Sequence, residues 1–236
     1  MVLTNSLNGS RNILNLLRTK RYKKNFKKEH PTYFDPDGLL VFCGAQGTGK
    51  TLSAVNYVRD LTWIYPKVKL VTNVDIKGLN PVVQVIEYDG IHCLTTIENG
   101  YEGVIFFIDE IHLEFNSLES KNIPIEVMVE VSQQRKQRKH IVGTSQQFLR
   151  LAKPLREQIK NLVICRNFFG LIQYNLLIDG STIREDNGHI KMDIKKKSVW
   201  FHTPELYDSY DTYAKMRRYR QEWQGVSRDN NVYYGG

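Results

Sequence analysis

Leu39-Leu40-Val41-Phe42-Cys43 runs directly into Gly44-Ala45-Gln46-Gly47-Thr48-Gly49-Lys50-Thr51, and that into Leu52-Ser53-Ala54-Val55-Asn56-Tyr57-Val58. An apolar run, a glycine-rich turn and a helical pattern predict strand, loop and helix, the context in which G-x-x-x-x-G-K-[ST] binds phosphate. The glycines let successive backbone N–H groups turn inward, and the new helix presents its positive end to the same hollow. Lys50 is placed to reach the β- and γ-phosphates, and the Thr51 hydroxyl to hold Mg²⁺. Gly44, Gln46, Gly47, Thr48, Gly49, Lys50 and Thr51 are therefore the candidate nucleotide contacts, and the chain is expected to bind a nucleoside triphosphate.

The decisive partner to this loop lies downstream, at Val104-Ile105-Phe106-Phe107-Ile108-Asp109-Glu110. So dense an apolar run, rich in β-branched and aromatic residues, predicts a strand buried on both faces. Two acids at its end are tolerable only if they emerge at the sheet's edge with partners. In the Walker B arrangement Asp109 supports Mg²⁺, and Glu110 polarises the water that attacks the γ-phosphate. A second acid points to hydrolysis rather than to simple holding of the nucleotide. His112 is expected only to hydrogen-bond beside the site. A further strand, from His140 to Gln147, ends in Thr144-Ser145-Gln146. Gln146 either senses the γ-phosphate or, with Ser145, caps the following helix.

Between these strands the pattern is plainer. The loop helix should run to about Trp63 or Ile64. Lys67–Asn73 reads as a second strand, with Asn73 and Asp75 as its polar terminus and outside the site. Val82–Tyr88 reads as a weak strand, and a short helix begins near Thr95. Ile125–Lys139 fits strand or helix by its valines, and the polar continuation favours a helix with a basic end. Further on, Asn161–Arg166 and Leu171–Ile178 predict an antiparallel hairpin about Phe168-Phe169-Gly170. Ser198–His202 is a candidate strand. Pro204–Tyr219 reads as a helical tail whose tyrosines, Tyr207, Tyr210 and Tyr213, suit packing better than base stacking.

Composition bounds the partners. The chain has 236 residues and a net charge of +8, with 41% hydrophobic residues, enough for one sizeable core. The charge is clustered. Arg11, Arg18, Lys20, Arg21, Lys23, Lys24, Lys27 and Lys28 all precede Glu29. Arg135, Lys136, Arg138, Lys139 and His140 form a second group, Lys195-Lys196-Lys197 a third, and Arg217, Arg218 and Arg220 a fourth. Each is either a solvated face or part of a polyanion-binding surface, and several beside a nucleotide site favour nucleic acid. The first group is either a disordered arm or a helix laid on an acidic partner, with Ile13, Leu14, Leu16 and Leu17 striping a short helix from about Ser10. Cys43, Cys93 and Cys165 lie far apart in apolar segments and read as buried free thiols, which fits a reducing cytoplasm. No apolar run approaches the ~20 residues of a membrane span. The expected domains are a basic arm or helix (1–30), a P-loop domain (31–203) and a helical tail, loose at its end (204–236).

The order of phosphate loop, strand ending Asp109-Glu110, basic segment and strand ending Thr144-Ser145-Gln146 resembles the FtsK–HerA branch of the additional-strand P-loop ATPases. Within it the motifs are similar to two small viral groups, zonular occludens toxin-like assembly proteins of filamentous phages and DNA-packaging ATPases of small phages. The resemblance covers roughly residues 38–165. It implies an α/β fold: a mainly parallel central sheet with helices on both faces, here with an antiparallel edge hairpin. It also implies ATP and Mg²⁺ as ligands, Gln146 as sensor, and an arginine supplied by a neighbouring subunit, either Arg138 or Arg135. The expected function is an ATP-hydrolysing translocase of double-stranded DNA, acting as a ring in viral genome packaging with a portal or capsid partner, in the host cytoplasm. The toxin-like proteins carry a transmembrane segment after the ATPase domain, and its absence here disfavours membrane extrusion. The alternatives are a membrane-associated phage assembly ATPase and a helicase-loader-like DNA-binding factor.

Overall fold

The apolar run Leu39–Cys43 forms strand β1, buried along its whole length among strands drawn from the other apolar runs. The structure, a computed structural model, describes residues 4–31, 33–186 and 189–211. The chain divides into two units, residues 1–33 and residues 34–236.

In the first unit, Thr4–Glu29 is one helix, α1, so the basic run is helical and continuous with the segment before it. Arg18, Lys20, Arg21, Lys23, Lys24 and Lys28 face solvent, as do Leu16 and Leu17. Phe26 packs edge-on against Tyr33, with ring centroids 4.9 Å apart.

The second unit continues in chain order with β1, α2 (Lys50–Ile64), β2 (Lys69–Thr72), β3 (Asp75–Ile76), β4 (Gln84–Glu87), α3 (Cys93–Thr96) and β5 (Val104–Ile108). There follow α4 (Ile125–Gln133), β6 (Lys139–Ser145), α5 (Lys153–Arg156), β7 (Ile159–Phe168) and β8 (Ile172–Asp179). The last elements are β9 (Arg184–Asp186), β10 (His189–Lys191), β11 (Ile194–Phe201), α6 (Pro204–Tyr207) and β12 (Tyr210–Asp211). Among the described residues the main sheet has eight strands, in the order β11-β8-β7-β1-β6-β5-β2-β4. Neighbours from β7 to β4 run parallel, and β8 and β11 extend the sheet antiparallel. The mainly parallel sheet and its antiparallel edge are thus as expected, with β11 as a further edge strand.

Side-chain alternation divides the core between the two faces. Val104, Phe106 and Ile108 of β5 pack with Val41, Ile141 and Leu162 under α4 and α5. Ile105 and Phe107 face the other way, with Leu40, Phe42 and Val142, onto Ala54, Val55 and Val58 of α2. Helices therefore cover both faces, as buried parallel strands require.

The segment that fitted strand or helix is α4, and it stops at Gln133, so its basic continuation is not helical. Of that basic group only Arg135 and Lys136 are exposed. Lys139 is buried on Glu130 at 2.5 Å and the Leu94 carbonyl at 2.7 Å. His140 is buried too. Its Nδ1 must donate to the Gly38 carbonyl at 2.6 Å, which leaves Nε2 to accept from the Tyr57 hydroxyl at 3.0 Å. Burial pushes the His140 pKa down to about 4.

Lys195, Lys196 and Lys197 are all exposed on β11. Lysines on an edge strand deter strand-to-strand aggregation. Helix α6 is a single turn, and Tyr210–Asp211 pairs with Asp75–Ile76. The rest of the expected helical tail, with Tyr213, Arg217, Arg218 and Arg220, falls in 212–236, outside the described residues. Among the described residues no helix is long and apolar enough to cross a membrane.

Candidate active site

Parallel strands send all their carboxyl ends to one edge of the sheet, and that geometry assembles the site. β1 delivers the glycine-rich loop there, β5 delivers Asp109 and Glu110, β6 delivers Thr144 to Gln146, and β2 delivers Asn73. Strand β6 lies between β1 and β5, the position of the additional strand.

The loop is held from behind. Gly44 N donates to the Ser145 carbonyl at 3.2 Å, and the Thr48 hydroxyl to the Ala45 carbonyl at 2.8 Å. A Cβ on Gly44 would fall 2.3 Å from the Thr48 hydroxyl, so only glycine permits that closure. Helix α2 begins after Gly49 with no side-chain cap, so its first N–H groups are left to the hollow of the loop, where an anion is favoured. Cys43 and Cys165 sit behind the loop. They are free, as is Cys93, and burial pushes both thiols up to about 12, so neither is a nucleophile.

The acids lie where the sequence places them, with more support than it revealed. Thr51 Oγ1 donates to Asp109 Oδ1 at 3.0 Å, and Thr144 Oγ1 donates to the same oxygen at 2.6 Å. The Thr144 hydroxyl also accepts from Glu110 N at 2.9 Å. Asn73 holds the strand end from the other side: its Nδ2 donates to the Asp109 carbonyl at 3.1 Å, and Asp109 N donates to its Oδ1 at 2.8 Å. Glu110 is in the left-handed region (φ 54°, ψ 45°), a conformation costly for a non-glycine residue and concentrated at functional sites. Its carboxylate lies between Lys50 Nζ and His112 Nδ1, each at 3.3 Å.

Mg²⁺ can be tested against these residues. Thr51 and Asp109 supply hard oxygen donors in direct contact at the foot of the phosphate loop, the donor chemistry that Mg²⁺ takes.

Gln146 is half-buried at the tip of β6, and its Oε1 accepts from Arg150 Nη1 at 2.9 Å. Its amide is therefore turned so that the NH₂ remains as donor. Arg135 and Arg138 are not at this edge. They precede β6, whose seven residues span roughly 20 Å at ~3.3 Å per residue. Arg138 stacks over the Tyr101 ring at 4.4 Å. Sequence reasoning set Asn73 aside and gave Thr144 no role. The signal for both was a polar residue at the carboxyl end of a core strand. Arg150 had no distinguishing pattern.

Comparison with known proteins agrees with this geometry. The sequence profile of the ATPase family associated with various cellular activities (AAA) matches residues 40–166. No curated protein sequence matches the chain. The N-terminal domain of zonular occludens toxin from Neisseria meningitidis has a similar fold, with 18% identity and a TM-score of 0.50 over 74% of this chain and 98% of that one. The genome packaging NTPase of Sulfolobus turreted icosahedral virus 2, solved with ATP-gammaS, is 13% identical with a TM-score of 0.48, over 66% of this chain and 96% of that one. With the profile spanning more than half of the chain, and the loop and acid pair assembled at one sheet edge, the chain belongs to the AAA family of P-loop ATPases.

Proposed function

We propose that this ATPase couples hydrolysis to the movement of double-stranded DNA, as a ring of identical copies, in viral genome packaging. The observation that carries the reading is Glu110, a carboxylate held between Lys50 and His112 beside the phosphate loop. That is where a general base for the attacking water is needed.

In this reading the loop amides and Lys50 bind the β- and γ-phosphates. Thr51 and Asp109 would hold Mg²⁺, which when bound offsets charge on the β- and γ-phosphate oxygens. A γ-phosphate draws Lys50 away from Glu110, so the base is released only when substrate is present. Glu110 then takes a proton from water as the water attacks phosphorus, and ADP leaves. Gln146, with its NH₂ free, donates to a γ-phosphate oxygen. Arg135 and Arg138, at the opposite edge of the sheet, can reach a nucleotide only on another copy of the chain, which supports a ring with shared sites. Residues 31–203 would form the motor, with 1–30 and 204–236 as its extensions.

For DNA, the support is the exposed lysine run of β11, the exposed pair Arg135 and Lys136, and the solvent-facing cations of α1. Such charges grip phosphates without reading sequence. The direct test is displacement of a third strand from a DNA triplex by the wild-type protein with ATP. ATP-dependent displacement that Glu110→Gln abolishes supports the motor. Hydrolysis with no displacement, together with liposome binding that is lost on deleting residues 1–30, replaces it with the membrane-associated assembly reading.

A further inference from the structure

A phosphate loop that points N–H groups into its hollow must point carbonyls out of it, and each outward carbonyl needs a donor from behind. For Thr48 that donor comes from the last third of the chain. Gln173, on β8 and fully buried, donates from Nε2 to the Thr48 carbonyl at 3.0 Å and to Asn175 Oδ1 at 2.8 Å. Asn175 Nδ2 in turn donates to Ser53 Oγ on α2 at 3.1 Å.

With both amide hydrogens committed, Gln173 Oε1 is left as an acceptor, and it faces His202 Nε2 at 3.1 Å. His202 Nε2 therefore carries a hydrogen. With the hydrogen on Nε2, His202 Nδ1 is an acceptor; the Tyr207 hydroxyl lies 2.5 Å from it and 2.5 Å from the Gly170 carbonyl, so its one hydrogen is shared between these two acceptors. A chain of polar contacts thus runs Tyr207, His202, Gln173, Thr48, from α6 across the antiparallel ribbon to the nucleotide loop.

The geometry of one peptide unit gives this chain a purpose. In a trans peptide the C=O and the following N–H point in opposite directions. A donor fixed on the Thr48 carbonyl therefore fixes the Gly49 N–H on the side away from Gln173, toward the hollow. Gly49 is the residue with most freedom to lose that orientation: it is a glycine in the left-handed region, at φ +76°. Replacing it to stiffen the loop is costly, because an L side chain rarely adopts that φ and a Cβ there would fall 2.1 Å from Gln173 Oε1 and displace the Gln173 amide. Rigidity has to come from outside the loop.

We propose that Gln173, aligned by His202, is a positioning residue for ATP binding that sets the Thr48–Gly49 peptide of the phosphate loop through its bond to the Thr48 carbonyl. The antiparallel extension is then part of the nucleotide site rather than a cover for the sheet. The proposal rests on the nucleotide reading of Lys50 and Thr51 and is independent of any effect of DNA.

The test is calorimetric titration of full-length protein with ATP and Mg²⁺, in a Glu110→Gln background so that ATP is not consumed. Gln173→Glu keeps the size of the side chain, removes the donor and sets a carboxylate oxygen against the Thr48 carbonyl. Gln173→Leu removes donor and acceptor together. Both should raise the Kd for ATP about tenfold, the scale of one buried hydrogen bond. His202→Ala should raise it about threefold, as befits an indirect partner. His202→Gln, which can restore an N–H at the place of Nε2, should recover wild-type affinity. Unfolding midpoints without nucleotide should stay together for the His202 pair. Unchanged ATP affinity in Gln173→Leu and His202→Ala overturns the proposal. So does a loss in His202→Ala that His202→Gln fails to rescue and that follows the loss of unliganded stability. If the Gln173 variants do not fold, the His202 pair decides the matter. Lys50→Ala, the control for the site itself, should lose ATP binding whatever the Gln173 result. If it binds ATP normally, the nucleotide site has been misread and the positioning role falls with it.

Discussion

The Thr144 hydroxyl donates to the Asp109 carboxylate at 2.6 Å and, through the same oxygen, accepts from the amide of Glu110. One side chain on β6 thus orients both acids at the end of β5. Asp109 keeps its position against Thr51, and Glu110 keeps the left-handed backbone that aims its carboxylate at Lys50. Thr144→Val preserves shape and removes both hydrogen bonds. It should lower kcat about 10- to 100-fold, as expected for roughly 1–3 kcal/mol from a buried donor left unpaired. The KM for ATP should change far less, because the loop itself is untouched, and Thr144→Ser should restore most of the rate. Steady-state kinetics of the two variants checks this.

Arg135 and Arg138 give a test of site sharing. If one of them completes a neighbour's site, its alanine variant should lose about 10³–10⁵ in rate. Glu110→Gln protein should be inactive for a different reason, the loss of the proposed base, and still carries the arginine. Mixing the two inactive proteins should therefore regain activity, since a site with an intact Glu110 can take its arginine from the other copy. No regain for either arginine at any mixing ratio would remove both from the trans role.

His140 makes stability depend on pH. Its pKa falls from the ordinary 6.5 to about 4 on burial, so between those values the unfolded chain binds a proton that the folded chain does not. The stabilisation is complete above about pH 6.5 and is lost as the pH falls toward 4, with a slope of up to about 1.4 kcal/mol per pH unit. Denaturant unfolding of wild type and His140→Gln across this range should show the wild type losing stability more steeply. Parallel curves would mean that His140 is protonated without cost.

The site was legible in the sequence to the extent that chemistry imposes an invariant spacing. The phosphate loop has no substitute for its glycines and lysine, and a strand buried on both faces cannot end in Asp109-Glu110 by packing logic alone. The supports were less visible. Thr144 and Asn73 are polar residues at strand ends, a position that turns and caps fill just as often. Gln173 lies with Asn175 on the polar side of an alternating strand, which reads as solvent-facing, and its burial depends on the phosphate loop lying over it, an interaction between residues 125 positions apart. Strand β11 was missed in its first half because an edge strand needs no apolar side, and Lys195 to Lys197 reads as charge rather than as structure.

That lysine run carries a prediction of its own. Lys195 lies 4.0 Å from the Asp179 carboxylate, whereas Lys196 and Lys197 have side chains in solvent. If they neutralise DNA phosphates, changing both to alanine should weaken binding to any sequence alike. It should also reduce the slope of log K against log salt by about 0.9 for each phosphate no longer neutralised, so by roughly 2 in all. Fluorescence anisotropy with duplex DNA across a salt series measures it, and an unchanged slope would place the DNA-binding surface elsewhere.

The central claim, hydrolysis at Glu110 tied to DNA in an assembled protein, is tested most directly by the steady-state ATPase rate. Wild type and Glu110→Gln should be compared with and without double-stranded DNA over a range of protein concentrations. The expected result is a wild-type rate that rises with DNA and more than linearly with protein, and a loss of about 10²–10⁴ in Glu110→Gln, the range for a lost general base. A wild-type rate indifferent to DNA and proportional to protein would contradict the translocase and leave an ATPase that acts alone.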